Sequence, residues 1–325
     1  MIQIKDLPAH EGSLVTGDFL LTECQELGSN GAVRQQLALH DGSGQVTGFI
    51  WPEHRRNTSI PALPSAVRLQ AEVRMFKDRP QLHIHCLQVT APDMVESASA
   101  LLPSAHCPQV AQPALAELVK LEASLYAPLD EFLRRVLLDP VIGLPLLTCR
   151  ASVNHHHAFQ GGLLVHTMEC VSLTATAIAQ FLPEDPQSVA IGSLCQLFHD
   201  LGKLCSVGGC RRPRYPFAMR HEVYTVRLLD PHLRWLAQVS PELNAAFEYV
   251  LNYIATPHTV RKPGKYLVAD IVVAIDQWSA ASHNERSFAA LLDVLDPVRF
   301  RPAADRPDAA NDNEFIPTEQ QSANG

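Results

Sequence analysis

Long hydrophobic runs are missing from this 325-residue sequence. No apolar stretch reaches the roughly 18–20 residues that a membrane-spanning helix needs, so no membrane is expected as a partner. The chain opens Met1-Ile2-Gln3-Ile4-Lys5-Asp6, without the basic-then-apolar layout of a secretory signal, and a cytoplasmic location is the expectation. Positive charge is short: 26 Lys and Arg stand against 34 Asp and Glu, a net charge of −8. That argues against tight non-specific binding to duplex DNA, which phosphate neutralisation drives, and leaves room for a local basic groove. Paired cysteine signals are also lacking. Eight cysteines are scattered along the chain, and the C-x4-C of Cys205 and Cys210 has no second pair in register to complete a zinc site. Reduced thiols are expected. There is no internal repeat.

What is present is a globular composition, 46% hydrophobic and 18% charged, long enough for two modest domains. Residues 1–95 read as β. Leu14–Glu23 is an apolar-rich strand with a turn expected at Gly17-Asp18. Arg34–His40 alternates and runs into Asp41-Gly42-Ser43-Gly44, a strong turn signal. Gln45–Trp51 alternates again, with Val46, Gly48 and Ile50 on one face and Thr47, Phe49 and Trp51 on the other. Ala66–Phe76 and Gln81–Val89 add two strands across Lys77-Asp78-Arg79-Pro80. Five short strands predict a small barrel, and their order resembles a nucleic-acid-binding OB-fold. Phe49 and Trp51, with Arg55, Arg56, Phe76 and Lys77, are candidates to face a single strand; the alternative for Phe49 and Trp51 is barrel core.

Prolines 92, 103, 108 and 113 mark a linker over 96–112. Beyond it the pattern is helical: a stripe from Leu115 to Leu125, another over Leu129–Leu138, and a break at Pro140, Gly143 and Pro145. Further helices are expected over Leu163–Phe181, over Ser188–Leu201 with Gly202 as its stop, from Arg220 to about Leu229, over Leu243–Ile254 and over Tyr266–Ala281. Residues 301–325 read as a disordered tail.

Chemistry concentrates between Asn154 and Lys203. His155-His156-His157 and His166 precede His199-Asp200, an adjacent pair at the end of an apolar helix. Burying two polar groups there costs several kcal/mol, of the order of ~2–7 per group, unless a partner satisfies them. A divalent ion would do so with imidazole and carboxylate ligands. The final helix offers Asp270 and Asp276. Ala269, Val272, Val273 and Asp276 fall on one stripe, so Asp276 is the expected ligand and Asp270 a solvated or capping residue. His221 and His258 are further candidates; if both join, the set is large enough for two ions. His156 and His157 are candidates to bond a substrate phosphate. Arg211, Arg212 and Arg214 form a basic loop suited to guiding a phosphate backbone.

His166, His199-Asp200 and Asp276 resemble the H…HD…D signature of the HD phosphohydrolase superfamily. The fuller run, His156-His157-Ala158-Phe159 with Gly161-Gly162-Leu163-Leu164 and His166-Thr167, is similar to the YhaM-type 3′→5′ exoribonucleases, which also carry an N-terminal OB-fold. The resemblance covers roughly residues 14–90 and 113–282. It implies a multidomain chain: an all-β OB-fold barrel over 1–95, then an all-α HD-type domain over 113–300. It also implies one or two divalent ions of manganese type and hydrolysis from the 3′ end that releases nucleoside monophosphates. By position, His221 and His258 match the two extra histidines of that family. The sequence departs from the family pattern in the Cys- and Arg-rich stretch after Lys203, in Arg220 where a glycine commonly precedes the histidine, and in a lone His258. A related HD module of relaxase-like proteins shares the Gly-Gly-Leu-Leu…His segment.

The expected activity is a metal-dependent phosphodiesterase acting on single-stranded RNA ahead of DNA. His166, His199, Asp200 and Asp276 hold one ion, and His221 and His258 a second. Asp200 and Lys203 act in catalysis, with Lys203 contacting the scissile phosphate or leaving oxygen. Expected partners are single-stranded nucleic acid and, as an option for assembly, further copies of this chain. Two alternatives stand: a small-nucleotide phosphohydrolase, and a non-catalytic single-strand-binding or relaxase-associated DNA-transfer protein.

Overall fold

Period-two alternation in the first ninety residues produces five strands, β1 (Leu14–Ser29), β2 (Ala32–Asp41), β3 (Gly44–Ile50), β4 (Ser65–Phe76) and β5 (Arg79–Val89). The structure, a computed structural model, describes residues 2–29, 32–154, 157–207 and 219–282. The strands close into a barrel in the order β1-β2-β3-β5-β4. Neighbours are antiparallel except β3 and β5, which run parallel. This is an OB-like barrel. Phe19, Leu37, Leu39, Val46, Ile50, Leu69 and Ile84 fill it. The β2–β3 turn is fixed by Asp41, whose Oδ1 accepts from Ser43 N (2.7 Å) and Gly44 N (3.0 Å), while Oδ2 accepts from Ile4 N (2.8 Å). The β4–β5 turn places Lys77 and Asp78 at φ 49° and 60°, as a tight twisted hairpin requires.

The turn expected at Gly17-Asp18 does not form, and β1 runs straight through it. Asp18 lies opposite Arg68 of β4 and accepts from Nε and Nη2 of its guanidinium, both at 2.7 Å. A buried carboxylate with a two-pronged partner is held in the strand, and that partner is fifty positions away.

Between the barrel and the helices, residues 92–111 form a string of short 3-10 turns. Val95, Ala98, Leu101, Leu102, Cys107 and Ala111 are buried along it. Glu122 of α1 (Gln112–Ser124) anchors this stretch: its carboxylate accepts from Ala98 N (2.8 Å), Ser99 N (2.9 Å) and Ser97 Oγ (2.7 Å). His106 brings its ring within 4.9 Å of the His40 ring of β2.

The helical part continues with α2 (Leu129–Leu137), α3 (Gly143–Thr148), α4 (Gly162–Phe181), α5 (Pro186–Phe198), α6 (Lys203–Ser206), α7 (His221–Val239), α8 (Pro241–Ala255) and α9 (Leu267–Ser282). One core of leucines, with Phe132, Phe198 and Phe247, joins these helices. Three boundaries differ from expectation. The Pro-Gly break contains a helical turn, α3, with Leu146 and Leu147 buried. Helix α7 does not stop near Leu229 but passes through Pro231 to Val239, because Leu233 and Leu236 continue its buried stripe and outweigh one lost backbone bond. Helix α5 ends at Phe198, so His199 and Asp200 sit in a turn rather than on the helix. Helix α4 is also long and apolar enough to cross a membrane by length and composition, against the expectation of no such run. Here Leu163, Leu164, Met168, Cys170, Val171 and Ile178 seat it in the core. The stretches 283–300 and 301–325 lie outside the described residues.

Glu122→Ala removes the acceptor for two buried N–H groups and is expected to destabilise the protein by about 2–4 kcal/mol. Urea denaturation, read as the shift in midpoint, measures it.

Candidate metal centre

The turn after α5 is fixed from both sides. His199 Nδ1 lies 2.6 Å from Gln196 O, to which it donates, and this turns Nε2 towards Asp200 and Asp276. Thr225 of α7 donates from Oγ1 to His199 O (3.1 Å) and accepts from Gly202 N (2.8 Å). Gly202 is therefore not a left-handed helix stop; its φ is −61°. It is glycine because a Cβ there would lie 1.7 Å from His221 O, so α7 packs directly on this turn. His166 lies in the second turn of α4, which begins after Gly161 at φ 79°. A Cβ on Gly162 would strike His157 O at 2.0 Å.

These constraints bring His166, His199, Asp200 and Asp276 together, each offering one ligand atom within 4.8 Å of the others. His166 Nε2 is 3.5 Å from Asp200 Oδ2 and 3.3 Å from Asp276 Oδ1. His199 Nε2 is 3.3 and 3.2 Å from the same two oxygens. Ligands at about 2.0–2.2 Å from one ion are roughly 3.0–3.6 Å apart at tetrahedral or octahedral angles, so the spacing fits a single divalent ion. The donor set, two imidazoles and two carboxylates, suits a divalent ion such as manganese, iron or zinc.

Charge in the cluster is tightly coupled. Burial opposes the proton on His166, but bonds to Asp200 and Asp276 outweigh it and lift the imidazole to about 10. His199 is raised in the same way, against burial, by Asp200 and Asp276. Both carboxylates, although burial opposes their charge, are held well below the usual carboxylate range, chiefly by His199. The carboxylates thus hold protons on the imidazoles where a cation would otherwise sit.

Other expected residues are placed around this group. His221 Nε2 is 3.0 Å from Asp200 Oδ1, on the side away from His166. Lys203 Nζ is 2.5 Å from Asp200 Oδ2, so its first partner is that carboxylate. His258 is exposed and stands outside the four-atom group, in a cleft of about 400 Å³ that His199, His221 and Asp276 also line. His157, at φ 53°, has Nε2 3.4 Å from Glu169 Oε2 and its ring 5.5 Å from that of His166. Asp270 caps a loop instead, accepting from Gly264 N (2.9 Å) and from the Tyr253 hydroxyl. His156, Arg211, Arg212 and Arg214 lie outside the described residues, as does Cys210. Thr225 and Gln196 were not singled out by the sequence; a lone Thr or Gln on a helix carries no spacing signal.

On the barrel, Phe49 is buried, 8% exposed, and Trp51 is half-buried, although neither belongs to the inner cluster. They lie on the outer face, where the Arg34 guanidinium sits 4.8 Å from the Phe49 ring and 5.3 Å from the Trp51 ring. His83 of β5 meets both rings, and His54 stacks on His85 at 4.5 Å. Arg34 and the histidines went unnoticed in sequence because β2, β3 and β5 must pair before they meet.

Curated proteins named 3′-5′ exoribonuclease YhaM match this chain: 26% identity over 196 residues for the Listeria monocytogenes protein, 59% of this chain and 60% of that protein. The Bacillus velezensis protein is 23% identical over 207 residues, 63% of this chain and 64% of its own. This chain resembles the YhaM-type exoribonucleases. The match spans less than two thirds of those YhaM proteins' length. No family model matches the chain. Aspartyl-tRNA synthetase from Entamoeba histolytica aligns with a TM-score of only 0.24 at 12% identity, over 76% of this chain and 57% of that one.

Two outcomes are expected. Gly202→Ala forces α7 off the His199–Asp200 turn and costs roughly 3 kcal/mol by chemical denaturation, with weaker Mn²⁺ binding by calorimetry. In metal-free protein, the raised His166 contributes stability that is complete below its ordinary value near 6.5 and is lost as pH rises towards about 10. The melting temperature therefore falls over that window, and Mn²⁺, which replaces the protons, flattens the fall in a thermal scan.

Proposed function

We propose that this protein is an HD-type, metal-dependent phosphodiesterase that degrades single-stranded RNA from the 3′ end, releasing nucleoside monophosphates. The observation that carries the reading is the convergence of His166, His199, Asp200 and Asp276 at ligand spacing. The YhaM-named relatives support the polarity and the substrate. His166, His199, Asp200 and Asp276 would hold one ion, manganese being the proposed metal, with His221 and His258 towards a second. An ion there would acidify a bound water and neutralise the non-bridging phosphate oxygens. Asp200 carries most of the positioning: His166, His199, His221 and Lys203 all meet its two oxygens. Lys203, only partly buried, keeps a donor beside the reacting phosphate while it neutralises Asp200.

Residues 1–95 serve in this reading as the strand-binding part and 113–300 as the catalytic part, in the cytoplasm. Trp51, half-buried with Arg34 over its ring and the buried Phe49 behind it, offers the kind of cation-and-ring surface that sequence-tolerant single-strand binding uses. A small-nucleotide phosphatase would have no use for that surface.

With Mn²⁺, 5′-labelled single-stranded RNA is expected to shorten stepwise to a short labelled remnant, while 3′-labelled RNA releases labelled mononucleotide at once. Asp200→Ala lowers the rate at least 10³-fold. Intact substrate with the native protein, or internal cuts as first products, contradicts the reading. Trp51→Ala raises KM for long strands by about 10-fold and leaves kcat within twofold.

A further inference from the structure

We propose that the cleft beside the metal cluster is a mononucleotide pocket, in which the guanidinium groups of Arg220 and Arg261 hold the phosphate of the strand's terminal nucleotide. The inference rests on the phosphodiesterase reading and adds the substrate subsite. The cleft encloses about 400 Å³ and is walled on one side by His199 and Asp276 of the cluster. Pockets of about 300–1,000 Å³ take one drug-sized ligand, so this one has room for a single nucleotide and not for a duplex end.

Its other walls divide by chemistry. Ile254, Pro257 and Val273 are apolar and suit the face of a base. Arg220 and Arg261 supply the cations. Arg261 is the more telling of the two. It donates to the carbonyls of Ile254 (2.9 Å) and Thr256 (2.7 Å from Nη2, 3.2 Å from Nε), and its guanidinium lies 5.2 Å from the Tyr253 ring. Among the described residues no carboxylate is within ion-pair distance of it. A half-buried guanidinium bonded only to neutral carbonyls is already oriented, so an anion bound there meets a preorganised partner. Arg220 faces the same cleft from the start of α7, more than half exposed; its Nη2 is ion-paired with Glu222, which also lines the cleft, and its Nη1 donates to Ala255 O at 3.4 Å. Both side chains hold the 254–256 segment, so the two cations are tied to one wall. A base on the apolar wall with its phosphate between the arginines would lie within reach of Asp276 and His199. That limits the reaction to the last nucleotide of a strand.

Calorimetric titration of the full-length chain with adenosine 5′-monophosphate and with adenosine, each in Mn²⁺ and in EDTA, tests this. The monophosphate is expected to bind at least 10-fold more tightly than adenosine in both buffers. Arg220→Gln and Arg261→Lys are each expected to weaken it about 10-fold and leave adenosine unchanged. Arg220 is exposed, so its variant folds even if Arg261→Lys loosens the loop. Equal binding of the two ligands, binding of the monophosphate only with Mn²⁺, or unaltered affinity in Arg220→Gln overturns the proposal. RNA cleavage is assayed alongside. Its absence would remove the proposed activity and leave the nucleotide titration standing or falling by itself.

Discussion

Asp200 is 3% exposed, yet it is held as an anion, with a second carboxylate, Asp276, close by across the same pair of imidazoles. The desolvation of such a group is worth several kcal/mol, of the order of ~3–5 when a partner is removed, and the structure around it is arranged to return that energy. Four partners do so: His166, His199 and Lys203 on one oxygen and His221 on the other. Each comes from a different place in the chain. Helix α4 supplies one, the turn after α5 another, α6 the lysine, α7 the third imidazole. The helical core positions these elements, and the charge cluster gives them a common reason to meet.

Distances of a few tenths of an ångström then depend on residues that never touch the cluster. Thr225 ties the carbonyl of His199 and the amide of Gly202 to α7, and the missing side chain of Gly202 lets the His221 carbonyl come in. The position of His221 relative to Asp200 is thereby set by backbone packing rather than by a flexible side chain. Gln196 does the equivalent for the His199 ring through its carbonyl. As a candidate ligand set, these side chains are held in place by backbone contacts before any cation arrives.

The local part of this arrangement was readable in sequence. His199-Asp200 is a contiguous pair, and Asp276 stands out because Ala269 and Val272 of the same stripe are fully buried while Asp276 opens to the cluster. Barrel strands were legible for the same reason, their alternation being local. What escaped were features set by distant partners. Gly17-Asp18 has turn chemistry, and only Arg68, brought opposite by strand pairing, makes it strand. Pro231 has breaker chemistry, and only the continuing Leu233 and Leu236 contacts carry the helix past it. Arg34 is an ordinary cation until β2 and β3 place it over Phe49 and Trp51. Propensity and spacing describe a residue's neighbours along the chain, and these residues answer to neighbours across it.

On the proposed reading, a chain of net charge −8 would meet a polyanion with repulsion everywhere except where cations are concentrated. Two of the described cations, Arg34 and Arg261, stand apart from carboxylates. Arg34 stacks on the Phe49 and Trp51 rings, so its charge comes with an aromatic surface. Arg261 is bonded to carbonyls rather than carboxylates and is not neutralised. At the cluster the balance is the reverse, because Asp200 and Asp276 present two negative charges to the place where a phosphate would react. Protons on His166 and His199 offset that charge but occupy the very lone pairs that ligate an ion. A divalent cation offsets the same two charges and frees both imidazoles to act as ligands. Charge balance at the cluster and, in the proposed reading, access for a phosphate are therefore one condition, and Asp200 and Asp276 impose it.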